Sequence, residues 1–196
     1  MYSLLMAPPT LILASGSPRR RELLASLGLT FTIRPAETDE VLRPDENAFD
    51  GAERLAREKA AAVAALVSPD AVVAAADTLV VLGGRAFGKP AHRADAARML
   101  RVLQGNRHEV VTGLALARAG RMVSGREVTA VVFARMGDQD IDAYLESGEP
   151  DDKAGAYALQ GRGALYIESI SGSPSNVIGL PVRLFARLAA EIGLPV

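Results

Sequence analysis

The chain has 196 residues, 49% of them hydrophobic, and its 22 lysines and arginines nearly balance 23 aspartates and glutamates, leaving a net charge of −1. That size suits one substantial core and not two, so a single domain over residues 1–196 is expected, with room for two lobes around a central cleft. The balance of charge excludes a global field for nucleic acid or an anionic membrane. No cysteine and two histidines exclude disulfides, a cysteine nucleophile and a thiolate or His-rich metal site, leaving oxygen-ligated cations open.

The start, split by Pro8-Pro9, lacks a basic region ahead of its apolar residues, and no apolar run nears the roughly 20 residues of a bilayer span. A soluble, cytoplasmic protein is expected. Thr10 to Ala14 reads as a strand, followed by the tight loop Ser15-Gly16 and a helix with Ser17 at its N-cap and Pro18 in its first turn. That helix places Leu23, Leu24 and Leu27 on one side and stops at Gly28. Thr30 to Arg34 alternates as a second strand. A helix from Phe49 to Val67 carries Ala52, Leu55, Ala56, Lys59, Val63, Leu66 and Val67 on one stripe. Val72 to Leu82 is an apolar run broken by Asp77-Thr78, as expected of a strand buried on both faces and turned by Gly83-Gly84. A helix is expected from Ala94 to Leu103, and two strands, His108 to Ala117 and Val123 to Ala134, form a hairpin about Ala119-Gly120. Asp138 caps a short helix with Ile141, Tyr144 and Leu145. Tyr157 to Ile170 reads as a strand interrupted by Gly161 and Gly163, Ser171 to Asn176 as a loop, and Leu180 to Ile192 as a closing helix. The order predicts an α/β fold, an elongated mixed sheet flanked by helices.

Several residues conflict with their surroundings, and these are the candidates for chemistry. A helix N-terminus favours acidic groups, yet the first turn after Ser17 reads Pro18-Arg19-Arg20-Arg21. With Ser15 and Gly16 before them, these arginines suit a phosphate, the alternative being solvation of Arg21 and one neighbour. Lys59 sits on an apolar stripe, where an ammonium either snorkels or points into a polar site. Asp77 inside an apolar run costs several kcal/mol if buried alone, so a strand end or kink with a cation, metal or catalytic water beside it is expected. Glu37, Asp39 and Glu40 are candidates to join it around a hard divalent cation. His108 reads as structural. Only three of the basic residues are lysines, Lys59, Lys89 and Lys153: either a compact ammonium is required there or codon bias has left them. Basic loop, lysines and isolated carboxylates together suit metal-assisted attack of water on a phosphate.

The segments LILASGSPRRRELLASLG, LAREKA, AADTLVV, GKP, LQGNRHEVVTG, GEPDDKAGAYALQGRG and NVIGLP, in this order from Leu11 to Pro181, resemble the Maf family of nucleoside triphosphate pyrophosphatases, also described as septum-formation inhibitors. The resemblance implies hydrolysis of a nucleoside triphosphate to monophosphate and pyrophosphate with magnesium or manganese, in a fold akin to inosine triphosphate pyrophosphatases and often as a homodimer. It implies phosphate contacts from Ser15, Arg19, Arg20, Lys59 and Lys89, and metal or water handling by Glu40 and Asp77. Thr78 is expected in the substrate-binding set, and the resemblance places Gln160 near the substrate. Asp77-Thr78 and the run from Asp152 to Tyr157 with Gln160 look like the branch acting on dTTP and UTP. The alternatives are a pyrophosphatase for purine or N-methylated GTP substrates and a non-catalytic, nucleotide-binding division regulator.

Overall fold

The computed structural model describes residues 9–196; the reading of the first eight residues, Pro8 included, lies outside it. The strands are β1 (Leu11–Leu13), β2 (Phe31–Ile33), β3 (Val72–Leu82), β4 (Arg85–Phe87), β5 (Arg107–Arg118), β6 (Arg121–Phe133) and β7 (Ile167–Ser171). They form a seven-stranded sheet in the order β2-β1-β3-β5-β6-β7, with β4 paired to β3. β1 runs parallel to β2 and β3 and the other pairs are antiparallel, so the sheet is mixed, as expected. The helices are α1 (Pro18–Ser26), α2 (Ala48–Ala64), α3 (Arg93–Leu103), α4 (Asp138–Glu146), α5 (Pro174–Ile178) and α6 (Val182–Glu191).

Alternation along β3 distributes the core. Val72, Ala74 and Ala76 face Leu24 of α1 and Leu184, Phe185 and Leu188 of α6. Val73 and Ala75 face the small residues Ala56 and Ala60 of α2, with Val63 beside them. Farther along, Val80 packs with Phe87, with Leu100 and Leu103 of α3 and with Ile141 and Tyr144 of α4. β5 and β6 are joined by Ala119-Gly120, both at positive φ, the two-residue turn whose twist matches a hairpin.

Two pairings leave an opening in the sheet. β1 pairs only with Val72–Ala74, and β4 only with Val80–Leu82. Between them, residues 75–79 have β5 on one edge and, among the described residues, no strand on the other. Asp77 lies in this gap, in the middle of regular β3 and opposite Gly113. The expectation of a strand end or kink is therefore corrected: access comes from a missing neighbour and not from a break in the strand.

Other local expectations are also corrected. Tyr157 to Ile170 is not one strand, because residues 161–166 form a 3-10 helix before β7. The loop from Ser171 to Asn176 contains the start of α5, with Ser173 as N-cap and Pro174 in the first turn, the same device that starts α1. Leu27 and Leu66 are exposed, so the apolar faces of α1 and α2 are shorter than read. Gly137, not Asp138, is the N-cap of α4, and Asp140 receives the Gly137 N–H. β4 was missed, although Gly83-Gly84 is a hairpin signal.

Candidate active site

The opening in the sheet is the floor of a cleft of about 520 Å³. Each surrounding element arrives for a local reason. β1 ends at the gap, so the Ser15–Ser17 loop and the first turn of α1 form one wall. Ser17 caps that helix, accepting the Arg20 N–H. α2 lies across β3 and β5 at very short range, with the Ala52 carbonyl above Gly113, and this brings Lys59 over the floor. The turns after α4, residues 149–152 and 154–156, form the facing wall.

All the residues expected at the site line this cleft: Ser15, Arg19, Arg20, Glu40, Lys59, Asp77, Thr78, Lys89 and Gln160. Of the other acidic candidates, Glu37 and Asp39 do not. The floor is an ionic cluster. Lys59 Nζ donates to Asp77 Oδ1 and, at 2.7 Å, to Glu40 Oε1. Lys59 and Asp77 are both buried, satisfying the requirement that a buried carboxylate be paired. Lys89 Nζ approaches Glu40 Oε2 at 3.4 Å from an exposed position. Burial raises the Glu40 carboxyl, but Lys59 and Lys89 outweigh it and hold the group below its ordinary range.

The arginine triplet divides. Arg20 turns inward and donates from Nε to the Gly179 carbonyl at 2.8 Å, from Nη1 to Ser15 Oγ at 3.0 Å and from Nη2 to Thr78 Oγ1 at 3.1 Å. Burial lowers its pKa, against Asp77 and Glu40, which raise it, and Arg19, which lowers it further. Arg19 reaches across the cleft to Asp152 Oδ2 at 3.4 Å, and Arg21 is exposed. Gln160 stands exposed at the rim.

Asp152 entered the sequence reading only as the start of the run from Asp152 to Tyr157, with no role of its own. It accepts from Lys153, and Lys153 also donates to the Glu149 carbonyl at 2.9 Å. Lys153 lines the cleft as well, so all three lysines of the chain converge on it, which favours the required-ammonium explanation of their scarcity. The histidines stay outside the chemistry. His92 caps α3, and His108 is buried in a hydrogen bond with the Tyr157 hydroxyl. Magnesium-type ions use one or two carboxylates together with substrate phosphates. Glu40 and Asp77, brought together on one ammonium, fit that shared mode. No cluster of three or more candidate ligands exists among the described residues to form an all-protein cage.

The chain is similar to known proteins over nearly its whole length. The family model described as Maf-like protein matches residues 10–192. A dTTP/UTP pyrophosphatase of Anaeromyxobacter dehalogenans is 53% identical, covering 95% of this chain and 96% of its own length. A dTTP/UTP pyrophosphatase of Moorella thermoacetica is 50% identical with the same two coverages. A solved nucleoside-triphosphatase, a dITP/XTP pyrophosphatase from Mycobacterium abscessus, covers 93% of this chain at 14% identity and a TM-score of 0.41, too distant to carry weight. Matched over nearly its whole length by the family model and by relatives half identical to it, the chain belongs to the Maf-like protein family.

Proposed function

We propose that the protein is a pyrophosphatase of nucleoside triphosphates, cleaving dTTP and UTP between the α and β phosphates. The observation that carries this reading is the convergence of Arg19, Arg20, Lys59 and Lys89 with Glu40 and Asp77 on one cleft, in a chain whose relatives bear that name. Four cations suit a triphosphate, and paired carboxylates suit a water that must lose a proton. The chain acts as one domain, with the two walls of the cleft as its lobes. Through the family resemblance, a homodimer and residence in the cytoplasm belong to the same reading. Among the described residues no helix is long and apolar enough to cross a membrane.

In the proposed reaction, water attacks the α-phosphorus, the bond from that phosphorus to the bridging oxygen breaks, and pyrophosphate leaves with the bond's electrons. Asp77 and Glu40 orient the water and take its proton. Arg19, Arg20 and Lys89 bind the phosphate oxygens and stabilise the charge that gathers on the leaving group. Lys59 holds the two carboxylates in register and presents its charge to the same oxygens. Gln160, offering both a donor and an acceptor, is placed to meet a base edge. Magnesium or manganese, held by Asp77 and Glu40 together with the phosphates, would supply further charge neutralisation and lower the pKa of a bound water.

The test is product analysis with magnesium over a panel of pyrimidine, purine and N-methylated guanosine triphosphates. Pyrophosphate as first product, fastest from dTTP or UTP, is expected. Orthophosphate as first product overturns the reaction class, a purine preference overturns the substrate assignment, and binding without turnover favours the non-catalytic regulator.

A further inference from the structure

We propose that Thr112 is a positioning residue for the phosphate-binding Arg20, acting through a one-way chain of hydrogen bonds; this rests on the pyrophosphatase reading above. Thr112 lies on β5 directly opposite Thr78 of β3, so the register places the two hydroxyls on one face of the sheet. Thr112 is completely buried. Valine has the same shape and strand preference and no hydroxyl to desolvate, so a buried threonine here needs a reason.

Proton counting supplies it. The single Thr112 hydroxyl proton goes to the Asn176 carbonyl, at 3.0 Å, because a carbonyl cannot donate. The 3.0 Å contact between the two threonine hydroxyls therefore has one sense, Thr78 donating to Thr112. Thr78 in turn accepts from Arg20 Nη2. With its proton committed inside the protein, Thr78 has none to offer a phosphate oxygen; it orients the guanidinium. Arg20 has five N–H donors, and among the described residues Gly179, Ser15 and Thr78 take three, leaving two for a phosphate. The far end is also fixed. Asn176 is completely buried, and its Nδ2 donates to the Val110 carbonyl and to Thr129 Oγ1, both at 3.0 Å. The α5 turn is thereby pinned to β5 and β6, and the carbonyls of Asn176 and Gly179 that hold the chain and Arg20 stay in place.

The experiment compares Thr112→Val, Thr112→Ser, Thr78→Val and the double valine variant with wild type. It measures kcat/KM for pyrophosphate release from UTP, the affinity for inorganic pyrophosphate by calorimetry, and the thermal midpoint. Thr112→Val is expected to lower both kcat/KM and pyrophosphate affinity about tenfold, while Thr112→Ser, which keeps the donor, restores most of both. The double variant should be no worse than the poorer single one, since both break one chain. If Thr112→Val does not fold, Thr78→Val breaks the same chain at a less buried position and must show the loss by itself. Unchanged affinity and kcat/KM in the valine variants, additive losses, or a fall in thermal midpoint alone overturns the proposal. Failure of the wild-type enzyme to release pyrophosphate overturns the functional reading instead, and the affinity arm still decides the positioning role; wild type that neither releases nor binds pyrophosphate overturns both.

Discussion

Lys59 of α2 donates to Asp77 of β3 across the helix–sheet interface, with the two side chains only 6% and 7% exposed. Such a pair is costly to desolvate and contributes little net stability. Its value lies in holding the Asp77 carboxylate at a fixed place beside the opening in the sheet.

Asp77→Asn tests that value. The amide is nearly isosteric and can still accept from Lys59, which keeps the Glu40 carboxylate at 2.7 Å as its counter-charge, so the thermal midpoint should change little. Pyrophosphate release should fall about a hundredfold or more if Asp77 handles the water or its proton. Turnover near wild type rejects the catalytic role, and a collapse of stability makes Asp77 a structural group.

The two lysines at Glu40, Lys59 and Lys89, should respond differently to methionine. Lys89 is 59% exposed and, among the described residues, pairs with Glu40 alone, at 3.4 Å, so Lys89→Met should leave stability within about 1 kcal/mol while weakening substrate binding and rate. Lys59→Met removes the shared partner of two carboxylates, one of them buried, and should cost about 3 kcal/mol of folding stability besides activity. Denaturant titration and kinetics on both variants check the contrast; equal stability losses overturn it.

How much of this was legible in the sequence follows from where the signals were stored. Asp77 and Lys59 could be found because each contradicts an apolar pattern, and Arg19 and Arg20 because they contradict a helix dipole. Thr112 and Asn176 contradict nothing: a threonine suits a strand and an asparagine suits a turn, so only the fold reveals their bonds. The misread run from Tyr157 fails for a related reason. Glu149 accepts the Arg162 and Gly163 N–H groups at 2.8 and 2.9 Å and the Tyr144 hydroxyl at 2.7 Å, so a distant side chain replaces the strand partner that local pattern implied. α5 spans too few residues for periodicity to show, yet its Ser-Pro start matched that of α1 and could have been read.

His108 sets a pH dependence of stability. Its ring, 2% exposed, tilted against Phe133 and edge-on to Tyr157, is pulled by burial down to about 4 from 6.5, with the Asn106 backbone opposing weakly. The unfolded chain binds a proton in this window that the folded chain refuses. The contribution is complete above about pH 6.5 and is lost as pH falls toward 4, amounting to roughly 3 kcal/mol. His108→Gln, which can still bond the Tyr157 hydroxyl, should lose that much less stability between pH 7 and pH 4. Parallel stability curves for the two proteins overturn the assignment.

Gly113 tests whether the spacing between α2 and the sheet sets up the site. Its φ is not positive, so the requirement is for room and not for backbone freedom. A Cβ there would stand 2.2 Å from the Ala52 carbonyl oxygen and 2.5 Å from the Glu53 Cα, backbone atoms that move only if α2 moves. Gly113 also faces Asp77 in the register, so the displacement falls where Lys59 meets that carboxylate. Gly113→Ala should therefore destabilise by about 3 kcal/mol and lower pyrophosphate release well below the melting transition, because lifting α2 separates the pair. Gly83→Ala is the control. Gly83 has a φ of 58° in an open turn where a Cβ meets nothing within 4 Å, so it should cost about 1 to 2 kcal/mol and spare activity. Full activity in a folded Gly113→Ala variant would show that the ion pair tolerates a shifted helix and that close packing of α2 serves stability alone.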